Sequence, residues 1–246
     1  MSFSLHNFII EFWSAPFEDD LKLWSGKTKK TSSYGPWNIS RLVEDVKARM
    51  LSEDLYVGLS TQPADLGPAS RGSNDTAMML PGLFVDIDFA NAKDSAKRYP
   101  PNAETAMPVL RSFDHQPFLI QNSGNGLHVL FKLDTPLVIR NRDDRRKAQA
   151  ILRHFGRRLA KHFERAGYEI DSVFDLARVF RVPGSFNHKS GTPKPVTVIE
   201  YNPENRLSLT DLEQALPSLE DEARKATVRG RADHAIIQKE CGWYGH

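Results

Sequence analysis

The chain of 246 residues reads as a mixed helix-and-strand protein of one large domain or two small ones. Three observations predict this. Residues 117–121 and 127–133 are apolar runs joined by Asn122-Ser123-Gly124-Asn125-Gly126, a β-hairpin signal in which Gly and Asn supply the positive φ of a tight loop. Residues 83–89 alternate Leu83, Val85, Ile87 and Phe89 with Phe84, Asp86 and Asp88, the period of a strand. Ala148, Ile151, Leu152, Phe155, Leu159 and Phe163 recur at the period of an amphipathic helix.

The remaining elements follow in order. Trp13, Phe17, Leu21 and Trp24 fall at helical spacing, and the polar stretch 26–35 reads as a loop. Ile39, Leu42, Val43, Val46 and Met50 mark an amphipathic helix that Asn38 or Ser40 would cap. Residues 55–59 read as a strand, and 61–76, rich in Gly, Ser, Pro and Asp, as a long loop. Residues 91–105 carry no clear pattern, and 106–113 suit a short helix. After the basic helix over 142–165, strands are expected over 173–182 and 196–201. Thr210-Asp211-Leu212-Glu213 has the capping-box pattern and would start a short helix with Leu212 and Leu216. From residue 220 the chain turns charged and small, as a linker does, before the short apolar piece Ala235-Ile236-Ile237. The expected organisation is one domain over 1–219, then a linker and the start of a further module over 220–246, as in the N-terminal part of a longer protein.

Composition narrows the class. A hydrophobic fraction of 40% suits a packed core. No apolar run approaches the roughly 20 residues of a membrane span, and residues 1–10 lack the basic start and continuous apolar core of a signal peptide. A lone Cys241 forms no internal disulfide, so a reducing, cytoplasmic setting is expected. The net charge is only +2, but the cations are concentrated. Ten Lys or Arg residues lie between Arg140 and Ala166, against Asp143, Asp144 and Glu164. Such a face is either merely solvated or an electrostatic footprint for nucleic acid.

Three constellations carry chemistry. In the strand over 83–89, Asp86 and Asp88 share one face with Cα atoms about 6–7 Å apart. Two like charges so close repel, and their oxygens can converge on a hard cation such as Mg²⁺ or Mn²⁺. Asp is also disfavoured inside strands, so a structural role alone does not explain the pair. In Ser123-Gly124-Asn125-Gly126-Leu127-His128, glycines let backbone amides approach a phosphate, and the hydroxyl of Ser123 and the ring of His128 add donors. The alternative is an ordinary hairpin turn with a surface His. The run 170–189 holds Asp171 and Asp175, then Arg178 and Arg181, a Pro183-Gly184 turn, Asn187 and Lys189. Arg offers a planar fork that matches phosphate oxygens, although surface ion pairs such as Asp175 to Arg178 would use the same residues.

Taken in this order, the three segments resemble the motifs of the archaeo-eukaryotic primase superfamily, the primase-polymerases, and most of all its members from plasmids, phages and other mobile elements. The matching pieces are Phe84-Val85-Asp86-Ile87-Asp88, the Ser-Gly-x-Gly-x-His of Ser123 to His128, and an Arg-x-x-Arg-x-Pro-Gly-x-x-Asn-x-Lys stretch from Arg178 to Lys189. Tyr56-Val57-Gly58 and Arg71-Gly72 sit where such proteins place similar segments, and Ser185 stands where many relatives carry Thr. The likeness spans roughly residues 55–201.

The resemblance implies an α+β fold with an RNA-recognition-motif-like antiparallel sheet, an N-terminal α/β module and the active site between them. It implies a primase and DNA polymerase that uses Mg²⁺ or Mn²⁺, a DNA template and primer, and dNTP or NTP substrates. Asp86, Asp88 and Asp171 would hold the metals, with Asp171 preferred to Asp175 because it follows Ile170 and leaves room before Arg178. Ser123 and His128, with Gly124 and Gly126 of the same turn, would bind the incoming nucleotide's phosphates, and Arg178, Arg181 and Lys189 would add positive charge around the nucleotide or template. Many relatives carry a helical module or a helicase after this region. A DNA-binding replication initiator without turnover, or a metal-dependent nuclease, are the alternatives. The basic helix is expected near the template or duplex backbone.

Overall fold

A computed structural model of the chain describes residues 3–14, 17–90, 97–171, 174–189 and 191–216. The chain divides into two units, Met1–Glu213 and Gln214–His246, and two four-stranded sheets and a two-stranded ribbon belong to the first. The expected linker and further module over 220–246 lie outside the described residues.

Helix α1 (Leu5–Trp13) starts where the Ser4 hydroxyl accepts from the Asn7 amide, and it ends at Ser14 in the left-handed region (φ 55°). The helical spacing of Trp13, Phe17, Leu21 and Trp24 is therefore not one helix. Leu21 and Trp24 belong to β1 (Leu21–Ser25), where Leu21 and Leu23 face a core. The polar stretch 26–35 contains β2 (Thr31–Tyr34), which pairs antiparallel with β1 from Leu21↔Tyr34 to Trp24↔Thr31. Backbone pairing, not side-chain hydrophobicity, makes this strand, so its Thr-Ser-Ser-Tyr sequence gave no signal. A 3₁₀ turn (Pro36–Asn38) leads into α2 (Ile39–Arg49), which buries Ile39, Leu42 and Val46. Asn38 occupies its N-cap position but its side chain makes no capping hydrogen bond.

β3 (Leu55–Gly58) pairs with β1 and, on its other edge, with β7 (Val179–Arg181). Among the described residues of the expected strand over 173–182, only Val179–Arg181 form a strand. The first sheet thus runs β2-β1-β3-β7, all antiparallel. Leu23, Val57 and Phe180 lie on its core face, and Trp24, Tyr56 and Arg181 form a row on the other.

The second sheet runs β10-β5-β6-β4, also antiparallel, from β4 (Met79–Asp88), β5 (Leu119–Asn122), β6 (Gly126–Val138) and β10 (Thr197–Tyr201). β5 and β6 form the expected hairpin. β4 begins earlier than the expected strand over 83–89 and tolerates Pro81, because it is an edge strand and its register with β6 shifts between Leu80 and Gly82. A short ribbon pairs β8 (Phe186–Asn187) with β9 (Lys194–Pro195).

Helix α3 (Ala103–Arg111) starts earlier than expected because Asn102 caps it, its side-chain oxygen accepting from the Thr105 amide (3.0 Å). Helix α4 (Arg142–Arg165) is capped by Asn141 and buries the six apolar residues of the expected stripe. Phe155 meets Phe131 (4.8 Å between ring centroids) on one face of the second sheet, the face shared by Leu83, Val85 and Ile87. The short α5 (Leu209–Gln214) does not begin at Thr210. The Ser208 hydroxyl accepts from the Asp211 amide and a carboxylate oxygen of Asp134 from that of Leu209.

The opposite face of the second sheet packs against α1 and the first sheet. Phe84 stacks on Phe180 (5.8 Å, 19°), and Phe180 stacks on Trp13 (6.0 Å, 10°), whose indole N–H donates to the Leu59 carbonyl (2.9 Å). Aromatic pairs of this kind contribute about 0.5–1.5 kcal/mol each beyond burial. Gly82 permits the tightest approach in this layer. A Cβ there would stand 2.3 Å from the Phe131 carbonyl oxygen and 2.9 Å from the Phe12 ring. Gly82→Ala should lower stability by about 3 kcal/mol in urea unfolding. Gly58→Ala, whose Cβ would meet nothing nearer than 3.4 Å, should cost under about 1 kcal/mol. Equal losses would show that the approach at Gly82 relaxes freely.

Candidate active site

The hairpin register places Gln121 opposite His128 and His128 opposite Asp86, so the three form a row across β5, β6 and β4. The row lies on the face turned toward the first sheet, and β7 rests on it. The Arg181 amide donates to His128 Nδ1 (3.3 Å), and Gln121 Nε2 donates to the Arg181 carbonyl (2.7 Å) and lies 3.3 Å from the same Nδ1. A backbone N–H can only donate, so Nδ1 accepts and the ring proton sits on Nε2. Nε2 stands 3.8 Å from Asp86 Oδ1. Burial, followed by the charges of Arg181, Lys189 and Arg178, pushes the His128 pKa down to about 3. The imidazole is neutral at physiological pH, and what it offers is a fixed, uncharged Nε2–H donor.

Asp86 shows the opposite stress. Burial, then the adjacent Asp88, push its carboxyl up to about 7, with Asp171 adding to the effect and Arg178 and Lys189 opposing it. Asp171 lies just beyond α4. Its Oδ1 accepts from the Tyr99 hydroxyl (2.7 Å) and from Lys97 Nζ (2.8 Å). Burial alone would raise its pKa, but these hydrogen bonds and the charges of Lys97 and Arg178 hold it below the ordinary value. Asp175 pairs with Arg178 (3.3 Å). Among the described residues, no three His, Cys, Asp or Glu side chains close on one point. The structure brings Asp86 and Asp88 together on β4 and leaves Asp171 close enough to act on Asp86, while tethered to Lys97 and Tyr99.

The turn between β5 and β6 holds itself together. The Ser123 hydroxyl donates to the Gly126 carbonyl (3.1 Å), the Ser123 amide donates to the same oxygen (2.8 Å), and the Gly124 amide donates to Asn122 Oδ1 (2.8 Å). Gly126 allows β6 to lie close to β4, since a Cβ there would stand 2.4 Å from the Ile87 carbonyl oxygen beside Asp88. The two arginines of the third motif differ. Arg181 is buried, its guanidinium donating to Asp54 Oδ1 (2.5 Å) and Asn187 Oδ1 (2.8 Å) and lying over the Tyr56 ring (4.7 Å). Arg178 is partly exposed, and its Nε is buried without a hydrogen-bond partner among the described residues. Lys189 is exposed, and its charge acts on both Asp86 and His128.

The basic helix does not line this site. α4 packs on the other face of the second sheet, so the sheet stands between it and Asp86. Several of its cations have local partners, Arg158 with Asp114, Lys147 with Glu213 and Arg145 with the Asn74 carbonyl. Residues that the sequence did not single out are Asp54, Gln121, Lys97 and Tyr99. Gln121 was recoverable, because the hairpin register alone sets it opposite His128. The others arrive from distant segments, with no local pattern to mark them.

The raised pKa of Asp86 has a consequence for stability. Its folded value exceeds the unfolded one, so the native state binds the extra proton between pH 3.8 and about 7, and stability falls as pH rises through that window. Asp86→Asn removes this half-buried charge. Without divalent metal, the variant should melt at a higher temperature than the wild type at pH 8, with the gain shrinking toward pH 4. An equal gain at both pH values would mean that Asp86 ionises normally.

No protein-family model matches the chain, and no curated protein matches its sequence. Two solved structures share its fold. One is the archaeo-eukaryotic primase domain of the primase-polymerase of cyanophage S-2L, at a TM-score of 0.50 and 12% identity, over 87% of this chain and 97% of that one. The other is the primase RepB′, at a TM-score of 0.53 and 12% identity, over 96% of this chain and 69% of that one. The two antiparallel sheets and these likenesses agree on the fold: the chain has the α+β fold of these two primase structures, the fold class that the sequence resemblance implies.

Proposed function

We propose that the chain is a template-dependent nucleotidyltransferase, a primase and DNA polymerase that joins nucleoside triphosphates in DNA replication, in the setting of a mobile element. The observation that carries this reading is that Asp86, Asp88 and His128 share one face of the second sheet, with the charges of Arg178 and Lys189, from the third motif, acting on Asp86 and His128.

The carboxylates fit a divalent metal. Asp86 carries a charge that its surroundings leave unbalanced at neutral pH, and a hard cation on oxygen donors relieves that stress. Asp86, Asp88 and Asp171 would hold Mg²⁺ or Mn²⁺, and such an ion would supply activation of the 3′-hydroxyl of the growing strand and charge neutralisation for the leaving pyrophosphate. Asp171 suits the third position better than Asp175, because its charge acts on Asp86.

The chain's own groups do the rest. The neutral Nε2–H of His128 donates to a phosphate oxygen of the incoming nucleotide, held in direction by the Arg181 amide and Gln121. Arg178 and Lys189 supply positive charge to the triphosphate. Ser123, Gly124 and Gly126 keep the turn compact so that His128 stays opposite Asp86. The exposed cations of α4, on the far side of the sheet, suit the backbone of a bound DNA strand beyond the reacting atoms.

A gel assay on an unprimed single-stranded template and on a primed one, with dNTPs and NTPs supplied separately under Mg²⁺ or Mn²⁺, tests the activity. Incorporation is expected. DNA binding without incorporation would point to an initiator, and release of nucleotides from DNA without added triphosphates to a nuclease. Asp86→Ala combined with Asp88→Ala should abolish synthesis and leave a cooperative unfolding transition; continued primer extension would refute the metal assignment. His128→Ala should raise KM for the nucleotide about tenfold, as expected for loss of one hydrogen bond to a charged group. Unchanged kinetics would remove His128 from the nucleotide site.

A further inference from the structure

Arg181 is placed like a phosphate ligand in the sequence but not in the fold. Its side chain is 3% exposed. One arm of the guanidinium donates to Asp54 Oδ1 (2.5 Å) and reaches the Phe186 carbonyl (3.5 Å), and the other donates to Asn187 Oδ1 (2.8 Å). Its face lies on Tyr56, its partner across the strands. Little of the fork remains for an outside anion.

The groups it holds are themselves committed. Asp54, from the loop before β3, also accepts from the His188 amide (2.9 Å). Asn187 Oδ1 also accepts from the Lys189 amide (3.1 Å), and its Nδ2 donates to the Ser123 carbonyl (2.8 Å). One chain of hydrogen bonds therefore runs from Asp54 through Arg181 and Asn187 to the turn that carries Ser123. The backbone of Arg181 meets His128 and Gln121 at the same place. A buried ion pair is weak evidence for stability, since apolar side chains often replace one without loss. What this pair does geometrically is tie the loop before β3 and the turn after β7 to the β5–β6 hairpin.

We propose that Asp54 is a positioning residue of the nucleotide site. Acting through Arg181 and Asn187, it fixes the Ser123 turn and His128 against Asp86, and Arg181 serves as its brace rather than as a phosphate ligand. The kinetic part of this inference rests on the function proposed above; the positional part does not. In this arrangement Arg178 and Lys189 remain to meet phosphate.

The test uses the full chain and three variants: Asp54→Asn, which removes the charge at nearly constant shape, Arg181→Lys, which keeps the charge but loses the fork, and Asp54→Glu, which restores the charge. Hydrogen–deuterium exchange is followed over residues 119–130 and over α4 as a control, and steady-state kinetics are measured with dATP on a primed template. Asp54→Asn and Arg181→Lys should speed exchange in 119–130 but not in α4. Both should raise KM for dATP about tenfold, the scale of one misplaced charge-assisted hydrogen bond, with kcat and affinity for single-stranded DNA within about twofold of wild type. Asp54→Glu should recover part of the KM. Unchanged exchange in 119–130 overturns the positional role in either variant, including when one of them fails to fold and the other is read alone. Altered exchange with an unchanged KM overturns the kinetic role. A wild type that incorporates no nucleotide at all refutes the proposed function instead, and exchange still decides whether Asp54 positions the turn.

Discussion

The site depends on where β7 lies, and Phe180 decides that. This ring is stacked between Phe84 of the second sheet and Trp13 of α1, which clamps a three-residue strand from the first sheet onto the face of the second. The next residue, Arg181, then has its backbone amide over His128 and its side chain on the opposite face of β7, among Asp54, Tyr56 and Asn187. An alternating strand thus does two things at once: one side chain anchors the core, and its neighbour organises polar groups.

The two ionisable groups facing each other at the centre are shifted in opposite directions by one cause. Burial disfavours charge, so it raises the carboxyl of Asp86 and lowers the imidazole of His128. The neighbours then reinforce each shift, Asp88 for the carboxyl and Arg181, Lys189 and Arg178 for the ring. The pair at 3.8 Å is not an ordinary ion pair, because the ring is uncharged. The arrangement is an acid whose charge burial disfavours beside a neutral donor of fixed direction, the pairing on which the proposed function rests.

Charge elsewhere is distributed by layer. The second sheet separates the arginines of α4 from Asp86, so the long basic helix and the cations that act on the carboxylates are distinct sets. Arg178 and Lys189, which do act on Asp86, come from the short segment around β7 and β8. The concentration of positive charge in the sequence therefore marks a surface, whereas the cations that tune the site are few and close to it.

The sequence by itself determined the strand of Asp86 and Asp88, the hairpin of Ser123 and His128, and the α4 stripe, because alternation, turn chemistry and helical period are local properties written in consecutive residues. It misread residues 13–24 as one helical pattern and 26–35 as loop, since a left-handed Ser14 and the backbone pairing of Thr31–Tyr34 with β1 leave no mark in hydrophobicity. Of the candidate site, the motif residues were legible one segment at a time. Only the tertiary structure decided that Arg181 turns inward, that Asp171 is held by Lys97 and Tyr99, and that Asp54 and Gln121 take part. The reason is physical. What a polar side chain can do depends on which partners reach it and how much water is left around it, and both are set by packing between segments far apart in the chain.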